Sequence, residues 1–285
     1  MVGKLTNKVA IVTGASRGIG AGIAKRFAAE GARVVLVART VKEGGSALPG
    51  SLNEVAAWIR ERGGECICVG ADLGSEEDRA RIVPEAIAAF RGVDILINNA
   101  AWGKYRPAHQ QRTRDVRLAW EINVVAPLDL AQQCLESMKA RGGGWVVNIS
   151  SATADLPHPA PYDFDERYIS FNLNMGPTIY ATTKAGLQRL TAGLAVELAP
   201  HGIAVSTLAP VEAVASEGAV ELGVIDAQAH YEPVEAMAEA ALALSTCPAA
   251  ELSGRIALSL ELLRELGMSA VMDLQGVSPM PDYRF

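Results

Sequence analysis

The sequence is poor in cysteine and in residues arranged for metal binding. Its 285 residues include four cysteines, none of which belongs to a paired CxxC unit. They are scattered, at Cys66, Cys68, Cys134 and Cys247. The histidines have no partners at metal-ligand spacing and occur at His109, His158, His201 and His230. We therefore expect neither a disulfide framework nor a metal site.

Basic stripes and long apolar runs are also missing. The formal net charge is −6 and lysine and arginine are not concentrated anywhere, which argues against a nucleic-acid partner. No uncharged apolar run approaches the ~20 residues of a membrane-spanning helix. Residues 1–8 lead into only a short apolar stretch before Gly14, so they make a poor signal peptide. A cytoplasmic location is the expectation that follows.

Apolar residues make up 49% of the chain and follow two alternating patterns. Short β-branched runs predict buried strands at 9–13, 33–38, 66–69, 94–97, 145–149 and 203–208. Longer amphipathic patterns predict helices at about 18–30, 51–63, 75–91, 113–140 and 180–199. This alternation indicates an α/β fold with a doubly wound parallel sheet. The chain length fits one such domain, over residues 1–285.

Three segments depart from the alternation. Residues 40–50 are rich in glycine, and residues about 152–179 form a longer irregular stretch. Both are predicted to be insertions. After a possible last strand at 253–260, the chain continues into a C-terminal extension, at about 260–285, with a short leucine-rich helix and a tail that contains proline. We expect the tail to lie on the surface, where it could reach a partner subunit.

Tyr180 and Lys184 stand four residues apart in one predicted helix, so their side chains leave the same face about one turn apart. Of the six tyrosines, only Tyr180 has a lysine at this spacing. A neighbouring ammonium favours the phenolate, so the pKa of Tyr180 is expected to fall toward values suited to acid/base work. Taken alone, the pair is explained more simply as an ordinary surface pair.

The first predicted strand leads into a glycine-rich loop immediately before a helix. The loop reads Thr13-Gly14-Ala-Ser-Arg17-Gly18-Ile-Gly20. Glycines at these positions allow a tight turn and let backbone N–H groups approach a pyrophosphate at the helix N-terminus. The placement between a strand and a helix favours a dinucleotide site over a plain turn.

The end of the second predicted strand indicates which dinucleotide is bound. An enzyme that uses NAD has Asp or Glu there to bind the ribose 2′-hydroxyl, whereas here Ala38 is followed by Arg39. Arg39 and Arg17 could hold a 2′-phosphate, because guanidinium groups match phosphate oxygens and stack on adenine. The sequence therefore favours NADP(H) over NAD(H), unless the arginines only solvate a loop.

More polar residues follow the later strands. They are Asp72-Leu73, Asn98-Asn99-Ala100, Asn123 and Ser151. Together with the glycine loop and the Tyr180/Lys184 pair, they occur in the order seen in the short-chain dehydrogenase/reductase family, which the chain resembles over about residues 5–260. Within that family it is most similar to a hydroxysteroid-dehydrogenase-like branch, through its insertions and its 208–216 segment. The resemblance implies a Rossmann-type three-layer αβα sandwich.

The resemblance also implies a catalytic set of four residues. Tyr180 would exchange a proton with the substrate oxygen, and Lys184 would lower the pKa of Tyr180 and hold the nicotinamide ribose. Ser151 would hydrogen-bond the substrate oxygen. Asn123 would hold a water molecule for a proton relay to Lys184, unless it is only a buried amide or marks a helix kink.

A cofactor-binding set follows from the same resemblance. Thr13 would brace the turn, Asp72 would meet the adenine, and Asn98 would help to shape the pocket, although Asp and Asn also make ordinary turns. The implied set is Thr13, Gly14, Ser16, Arg17, Gly18, Ile19, Gly20, Arg39, Asp72, Leu73, Asn99, Ala100, Tyr180, Lys184, Pro210 and Val211.

The chain departs from the family pattern in three places. Ala101 replaces a glycine after Asn-Asn-Ala, which adds a methyl group near the cofactor. Pro210-Val211 replaces a Pro-Gly pair, and the threonine that usually follows is absent, with Ser216 slightly displaced.

The third departure is the distance in sequence between Ser151 and Tyr180, 29 positions, about twice the usual spacing. The intervening segment carries prolines and the aromatic residues Tyr162, Phe164, Tyr168 and Phe171. We expect it over the mouth of the site, as a pocket wall, a lid or a rigid surface flap.

The sequence therefore predicts an oxidoreductase that transfers a hydride between NADP(H) and a carbonyl or secondary alcohol. The substrate would be small and apolar, of lipid, steroid or ring type, and Tyr180 would be the acid/base. A non-redox epimerase or dehydratase remains possible, as does a cofactor-binding protein with impaired turnover, because of Pro210-Val211.

A homodimer or homotetramer is also predicted. The helices at 113–140 and 180–199 carry more leucine than one sheet face needs, unless all of these side chains face the core of the monomer. The leucines are Leu118, Leu128, Leu130, Leu135, Leu187, Leu190, Leu194 and Leu198.

Overall fold

A parallel sheet of seven strands forms the centre of the molecule. The computed structural model describes residues 3–214, 216 and 231–285, so Ala215 and His230 lie outside the described residues. The strands are β1 (Val9–Thr13), β2 (Arg33–Ala38), β3 (Cys66–Gly70), β4 (Ile95–Asn98), β5 (Gly144–Ile149), β6 (Ile203–Ala209) and β7 (Ile256–Leu258). Their order across the sheet is β3-β2-β1-β4-β5-β6-β7, with every neighbouring pair parallel.

The chain reverses direction across the sheet between β1 and β4. From β1 it winds outward to β3, then returns to β4 beside β1 and winds the other way. In open α/β sheets, ligands bind outside the carboxyl ends of the strands at such a switch point. The glycine loop after β1 and the Asn98-Asn99-Ala100 segment after β4 therefore lie next to each other at this edge.

Helices cover both faces of the sheet. They are α1 (Gly18–Ala29), α2 (Leu52–Glu61), α3 (Glu76–Phe90), α4 (Thr113–Trp120), α5 (Ala126–Ala140), α6 (Arg167–Met175), α7 (Thr178–Leu198), α8 (Val234–Leu244), α9 (Ala249–Leu252) and α10 (Ser259–Glu265). One hydrophobic cluster joins the sheet to α1, α2, α8 and α10, and a second joins its other face to α3, α5 and α7. The predicted three-layer αβα sandwich is confirmed.

The predicted helix over 113–140 contains an irregularity. Between α4 and α5 the residues Glu121–Val125 form a π-helical turn, which includes Asn123. A π-helical turn adds a residue to the helix and commonly marks a functional position. The amphipathic pattern could not show it, because the helix axis continues through the turn.

The 152–179 insertion and the C-terminal extension differ in character. The segment at 152–179 contains a short 3₁₀ turn, Ala152–Ala154, an irregular stretch and α6. The C-terminal extension forms an antiparallel pair of strands, β8 (Ala270–Met272) and β9 (Pro279–Arg284). The extension packs on its own chain, since Val271 is fully buried and the Tyr283 hydroxyl donates to the Tyr231 carbonyl oxygen at 2.9 Å. Contact of the tail with a partner subunit stays a prediction.

Of the eight leucines singled out in the sequence, Leu128 and Leu190 are half-buried, and the other six divide into two groups. Leu130 and Leu187 are buried in the core, and Leu135, Leu194 and Leu198 are partly buried against it. Leu118 is one of several apolar side chains that remain exposed along these helices, together with Trp120, Val125 and Val196. Much of the leucine content is therefore explained within one subunit, and the oligomeric state stays a prediction.

No helix within the described ranges is long and apolar enough to cross a membrane. Among the same residues, no group of three or more histidine, cysteine, aspartate or glutamate side chains is arranged to hold a metal ion.

A buried ion pair joins α1 to α8. The Arg26 Nε lies 2.9 Å from the Glu239 Oε2, and both side chains are at most 3% exposed. Arg26 also contacts Glu30 at the end of α1, at 2.7 Å. Because Glu239 would be buried without compensation if Arg26 were absent, the pair fixes the position of α8 against α1.

Replacing one partner of this pair is expected to be costly. Arg26→Ala should lower the free energy of unfolding by about 3–5 kcal/mol, since it leaves the Glu239 carboxylate buried and unpaired in the core. Urea unfolding followed by circular dichroism measures the effect. Glu85→Ala, which removes an exposed ion pair with Arg81, serves as the control and should cost below about 1 kcal/mol. Equal losses for the two variants would contradict the argument.

Candidate active site

The glycine loop is fixed by hydrogen bonds to the neighbouring strand β4. The Thr13 hydroxyl donates to the Ile97 carbonyl oxygen at 3.2 Å and accepts from the backbone N–H groups of Asn99 and Ala100 at 2.9 and 3.1 Å. Close backbone approach requires the glycine at position 20, because a Cβ there would collide with the Gly14 carbonyl oxygen. The loop therefore forms a tight cradle before the N-terminus of α1, where unpaired N–H groups favour an anion.

Asn98 and Asn99 face different surroundings. Asn99 lies at the cradle, and its side-chain amide donates to the Thr13 carbonyl oxygen at 2.8 Å. Asn98 is buried inside the sheet, where its amide donates to the Asn148 Oδ1 at 2.9 Å and the Pro127 carbonyl oxygen at 3.3 Å. Asn98 is therefore not part of the pocket wall, and it affects the pocket only by fixing the end of β4.

The two arginines predicted to hold a phosphate also differ. Arg17 is engaged with the 40–50 insertion, since its guanidinium donates to the carbonyl oxygens of Leu48, Pro49 and Gly50 at 3.2, 2.8 and 2.8 Å. Arg39 is exposed, and its side chain has no hydrogen bond or ion pair to the other described residues. Arg17 therefore shapes the insertion, and of the two arginines Arg39 is the one available to a phosphate.

A cavity of about 800 Å³ extends from this cradle to Tyr180. It is lined by the predicted residues Gly14, Ser16, Arg17, Gly18, Ile19, Arg39, Asp72, Leu73, Asn99, Ala100, Ser151, Tyr180, Lys184 and Pro210. Thr13, Gly20, Asn123 and Val211 belong to the predicted set but do not line the cavity. These four residues can affect the cavity only from behind its wall. Thr13 and Gly20 do so through the glycine loop, Asn123 through the π-helical turn, and Val211 through the backbone after β6.

Lys184 projects from α7 onto the end of β5. Its side chain is 2% exposed, and its Nζ donates to the Ile149 carbonyl oxygen at 2.7 Å. Burial lowers the pKa of the Lys184 ammonium to about 8, because the charged form is separated from water. A buried ammonium at this point is available to attract an anionic ligand or a developing negative charge.

Tyr180 lies one helical turn before Lys184, with the Lys184 Nζ 5.6 Å from the centre of its ring. Burial raises the pKa of the Tyr180 phenol, Tyr105 raises it further, and hydrogen bonding with Ser151 opposes the shift. The sequence predicted the opposite direction from the nearby ammonium. Burial, which the sequence does not reveal, outweighs that attraction, so Tyr180 stays protonated at neutral pH.

Ser151 completes the group at the end of β5. Its hydroxyl lies 2.9 Å from the Thr153 hydroxyl and accepts from the Thr153 N–H at 3.2 Å. These contacts belong to the 3₁₀ turn that begins directly after Ser151. The turn therefore holds the hydroxyl beside Tyr180 on the cavity wall.

Asn123 ties three elements together. Its Oδ1 accepts from the Trp102 N–H at 2.8 Å, and its amide donates to the Trp102 carbonyl oxygen at 2.8 Å and to the Thr183 hydroxyl at 2.9 Å. Both amide hydrogens are thus in use, and only Oδ1 keeps a lone pair for a further donor. The arrangement fixes the chain after β4 against α7, next to Lys184.

The backbone at Pro210-Val211, where the chain departs from the family's Pro-Gly pair, is held by Glu232. The Val211 N–H donates to the Glu232 Oε2 at 2.8 Å, and the Glu232 N–H returns to the Ala213 carbonyl oxygen at 2.9 Å. Burial raises the pKa of the Glu232 carboxyl. The segment that replaces Pro-Gly is therefore held by a buried side chain, while Pro210 and Ser216 still line the cavity.

The structure describes all of the aromatic residues of the 152–179 insertion, and none of them lines the cavity. Tyr162 and Phe164 are exposed and pack on each other, with ring centres 6.3 Å apart. The Tyr168 hydroxyl donates to the Asp155 carbonyl oxygen at 2.6 Å. Phe171 contacts Tyr105, which does line the cavity. The insertion consequently lies behind the wall.

Comparisons with known proteins agree with this geometry. The model of the short chain dehydrogenase family matches residues 8–162. The chain belongs to the short-chain dehydrogenase family. Human dehydrogenase/reductase SDR family member 4 is 34% identical over 210 residues, which are 72% of this chain and 66% of that protein. The match thus spans just under two thirds of the relative's length.

Solved structures of the family are similar over nearly the whole chain. A short-chain dehydrogenase from Mycobacterium thermoresistibile superimposes with a TM-score of 0.79 at 29% identity, covering 96% of this chain and 93% of that one. A 7α-hydroxysteroid dehydrogenase complexed with NADH and 7-oxo glycochenodeoxycholic acid gives 0.73 at 29%, covering 89% and 93%. A metagenomic oxidoreductase in complex with NADP gives 0.70 at 28%, covering 90% and 97%. The resemblance to the family, including its hydroxysteroid-dehydrogenase-like members, is confirmed.

Sequence reasoning missed the residues that follow Ala101. Trp102, Gly103, Lys104 and Tyr105 all line the cavity. Two of them are aromatic and belong to the segment that follows a predicted strand, and ligand-binding residues collect beyond the carboxyl ends of strands in open α/β sheets. The position of these aromatic residues could have indicated the site, but they belong to no known sequence motif.

Cofactor affinity should depend on the charge of Lys184. Because the ammonium attracts the anionic cofactor and its pKa is about 8, affinity for NADPH should be full below pH 8 and fall as the pH rises through it. The expected slope is at most about tenfold per pH unit, for one proton. Fluorescence titration between pH 6 and 10 measures it. Lys184→Met should bind NADPH more weakly and should not show this loss of affinity as the pH rises. The same dependence of NADPH affinity on pH in both proteins would contradict the assignment.

Proposed function

We propose that the chain is an NADP(H)-dependent oxidoreductase that interconverts a carbonyl compound and its secondary alcohol, with Tyr180 as the acid/base. One observation carries the proposal. Tyr180, Ser151 and Lys184 meet on the wall of the same cavity that contains the glycine cradle. An acid, a hydroxyl donor and a cation are thus placed within one site with an anion-binding helix end, which suits hydride transfer to or from a carbon bearing oxygen.

The residues present fit a dinucleotide. The cradle offers unpaired N–H groups at the start of α1, and position 20 leaves no room for a side chain. Asp72 and Leu73 line the cavity on the β3 side, where the adenine is proposed to bind. When bound, the nicotinamide supplies or accepts the hydride.

Each catalytic residue has a defined task in the reduction. Tyr180 donates its phenolic proton to the carbonyl oxygen, and its raised pKa keeps that proton in place at neutral pH. Ser151 donates a hydrogen bond to the same oxygen as negative charge develops there. Lys184 stabilises the phenolate that remains and holds the ribose of the cofactor. Asn123 positions Trp102 and Thr183, and its free Oδ1 lone pair can accept from a relay water.

Preference for NADP(H) rests on Arg39. Family members are solved with either cofactor, so the choice depends on this chain's own residues. β2 ends at Ala38 without a carboxylate that would bind a ribose 2′-hydroxyl or repel a 2′-phosphate. Arg39 follows it, exposed and without a competing partner among the described residues. Arg17 supports this role by fixing the 40–50 insertion alongside.

An apolar substrate suits the end of the cavity near Tyr180. Trp102 and Tyr105 line the cavity, and the Tyr105 ring packs against the Tyr180 ring. Apolar and aromatic surface of this kind favours binding of a hydrocarbon or ring group next to the reacting carbonyl.

Removing the Tyr180 hydroxyl should abolish most of the turnover. Tyr180→Phe should lower kcat by roughly 10²- to 10⁴-fold, since it removes the proton donor, with little change in the Kd for NADPH. Nicotinamide absorbance across a panel of ketones and alcohols measures kcat, and fluorescence titration measures the Kd. Tyr162→Phe, at an exposed tyrosine of the insertion, is the control. Unaltered kcat in Tyr180→Phe would contradict the assignment.

Removing Arg39 should weaken the binding of one cofactor selectively. Arg39→Ala should raise the Kd for NADPH by roughly 10- to 100-fold, the value of a charge-assisted hydrogen bond, and leave the Kd for NADH nearly unchanged. Arg33 starts the same strand, contacts the Phe90 ring at 5.7 Å and lies outside the cavity, so Arg33→Ala is the matched control. Equal affinities of the natural chain for NADPH and NADH would defeat the argument.

A further inference from the structure

The segment between β4 and α4, residues 101–112, is fixed close to Tyr180 and is called the 101–112 loop below. Trp102 is bound through its N–H and carbonyl groups to Asn123, at 2.8 Å each. The Gln111 side chain donates to the Lys104 carbonyl oxygen at 2.7 Å and to the Arg106 carbonyl oxygen at 3.2 Å. These bonds hold the backbone around Tyr105 from both sides.

The same loop packs directly on the ring of Tyr180. A Cβ at Gly103 would lie 2.7 Å from the Tyr180 Cδ2, so only glycine permits this approach. The Tyr105 and Tyr180 ring centres are 5.7 Å apart with an interplanar angle of 53°. This separation lies within the range of contacting aromatic rings, which leaves no space for a third ring between them.

The 152–179 insertion supports Tyr105 from behind. Phe171 on α6 meets the Tyr105 ring edge-to-face, with centres 6.0 Å apart and planes at 80°. The Arg106 N–H donates to the Gly176 carbonyl oxygen at 3.0 Å. Gly176 ends α6 with φ at 62°, and a Cβ there would collide with the Pro107 N. The insertion and the 101–112 loop are therefore packed together at two points.

Tyr105 is the residue through which the insertion affects the cavity wall. It lines the cavity, whereas Phe171 and the other described residues from 152 to 179 do not. Burial raises its own pKa to about 12, so the ring is neutral throughout the physiological range. Contacts with Tyr180 and Phe171 prevent the ring from rotating away, so a fixed, uncharged aromatic side chain lines the cavity beside the proton donor.

We propose that Tyr105 is the specificity-determining residue of the site and that it selects ketones with a flat ring attached to the carbonyl carbon. The inference rests on the proposed function. A flat ring packed on the Tyr105 side chain where it lines the cavity would bring its carbonyl oxygen toward the Tyr180 and Ser151 hydroxyls. A puckered ring of equal size makes poorer contact with the same flat surface, because its hydrogens hold it further away.

The experiment compares two ketones that differ in ring planarity, acetophenone and cyclohexyl methyl ketone. The natural chain should show the higher kcat/KM for acetophenone. Tyr105→Ala should reduce the acetophenone-to-cyclohexyl ratio by roughly three- to tenfold, the value of one aromatic pair, through a higher KM for acetophenone. Tyr105→Phe should keep the ratio, because the ring is retained. Phe171→Ala should shift the ratio in the same direction as Tyr105→Ala, by less.

Two further variants keep the test decisive. Tyr105→Leu keeps apolar volume without a flat face, and should lose the preference even if the alanine variant does not fold. Phe164→Ala removes an exposed aromatic of the same insertion that packs on Tyr162, and should leave the ratio unchanged.

The possible outcomes separate this inference from the proposed function. If the natural chain reduces ketones but shows no aryl preference, or if Tyr105→Ala and Tyr105→Leu keep the preference, the inference is overturned and the proposed function stands. If the natural chain binds NADPH but reduces no ketone in a broad panel, the proposed function fails and the inference fails with it.

Discussion

The burial of the Lys184 ammonium is the constraint on which the rest of the site depends. A charge that is 2% exposed and bonded to one described partner, the Ile149 carbonyl oxygen, is costly to keep, and its pKa falls to about 8. In the proposed function, an anionic cofactor and a developing phenolate compensate this cost. The ammonium lies 5.6 Å from the Tyr180 ring centre and at the end of β5, in the cavity that also contains the cradle. This arrangement requires the end of β5, the start of α7 and the switch point between β1 and β4 to border one cavity.

The scaffold around Lys184 is a set of short connections between strand ends. Thr13 joins the cradle to β4, and Asn123 joins the π-helical turn to Trp102 and Thr183. Glu232 holds the backbone where the chain departs from the family's Pro-Gly pair. Each connection uses a buried polar side chain with backbone partners, which fixes geometry without adding charge to the cavity. The insertion acts on this scaffold from outside, through Phe171 and Tyr105.

Much of the fold could be predicted from the sequence, because buried parallel strands read as continuous apolar runs and glycine loops have few alternatives. Properties that depend on burial or on the path of a loop could not be predicted from the sequence. The direction of the Tyr180 pKa shift reversed because burial outweighs the nearby ammonium. Arg17 binds the carbonyl oxygens of an insertion whose path no periodicity predicts. Tyr105 belongs to a loop without a motif, and only the three-dimensional contacts reveal its place beside Tyr180.

Transfer of an isotopic label tests the central claim most directly. NADPH carrying deuterium at both C4 positions would be incubated with the protein and an accepted ketone, and the alcohol analysed by mass spectrometry. A hydride-transferring enzyme places one deuterium on the carbinol carbon of each alcohol molecule formed. Unlabelled alcohol, or conversion of the substrate without consumption of NADPH, would contradict the claim and indicate a non-redox use of the same site.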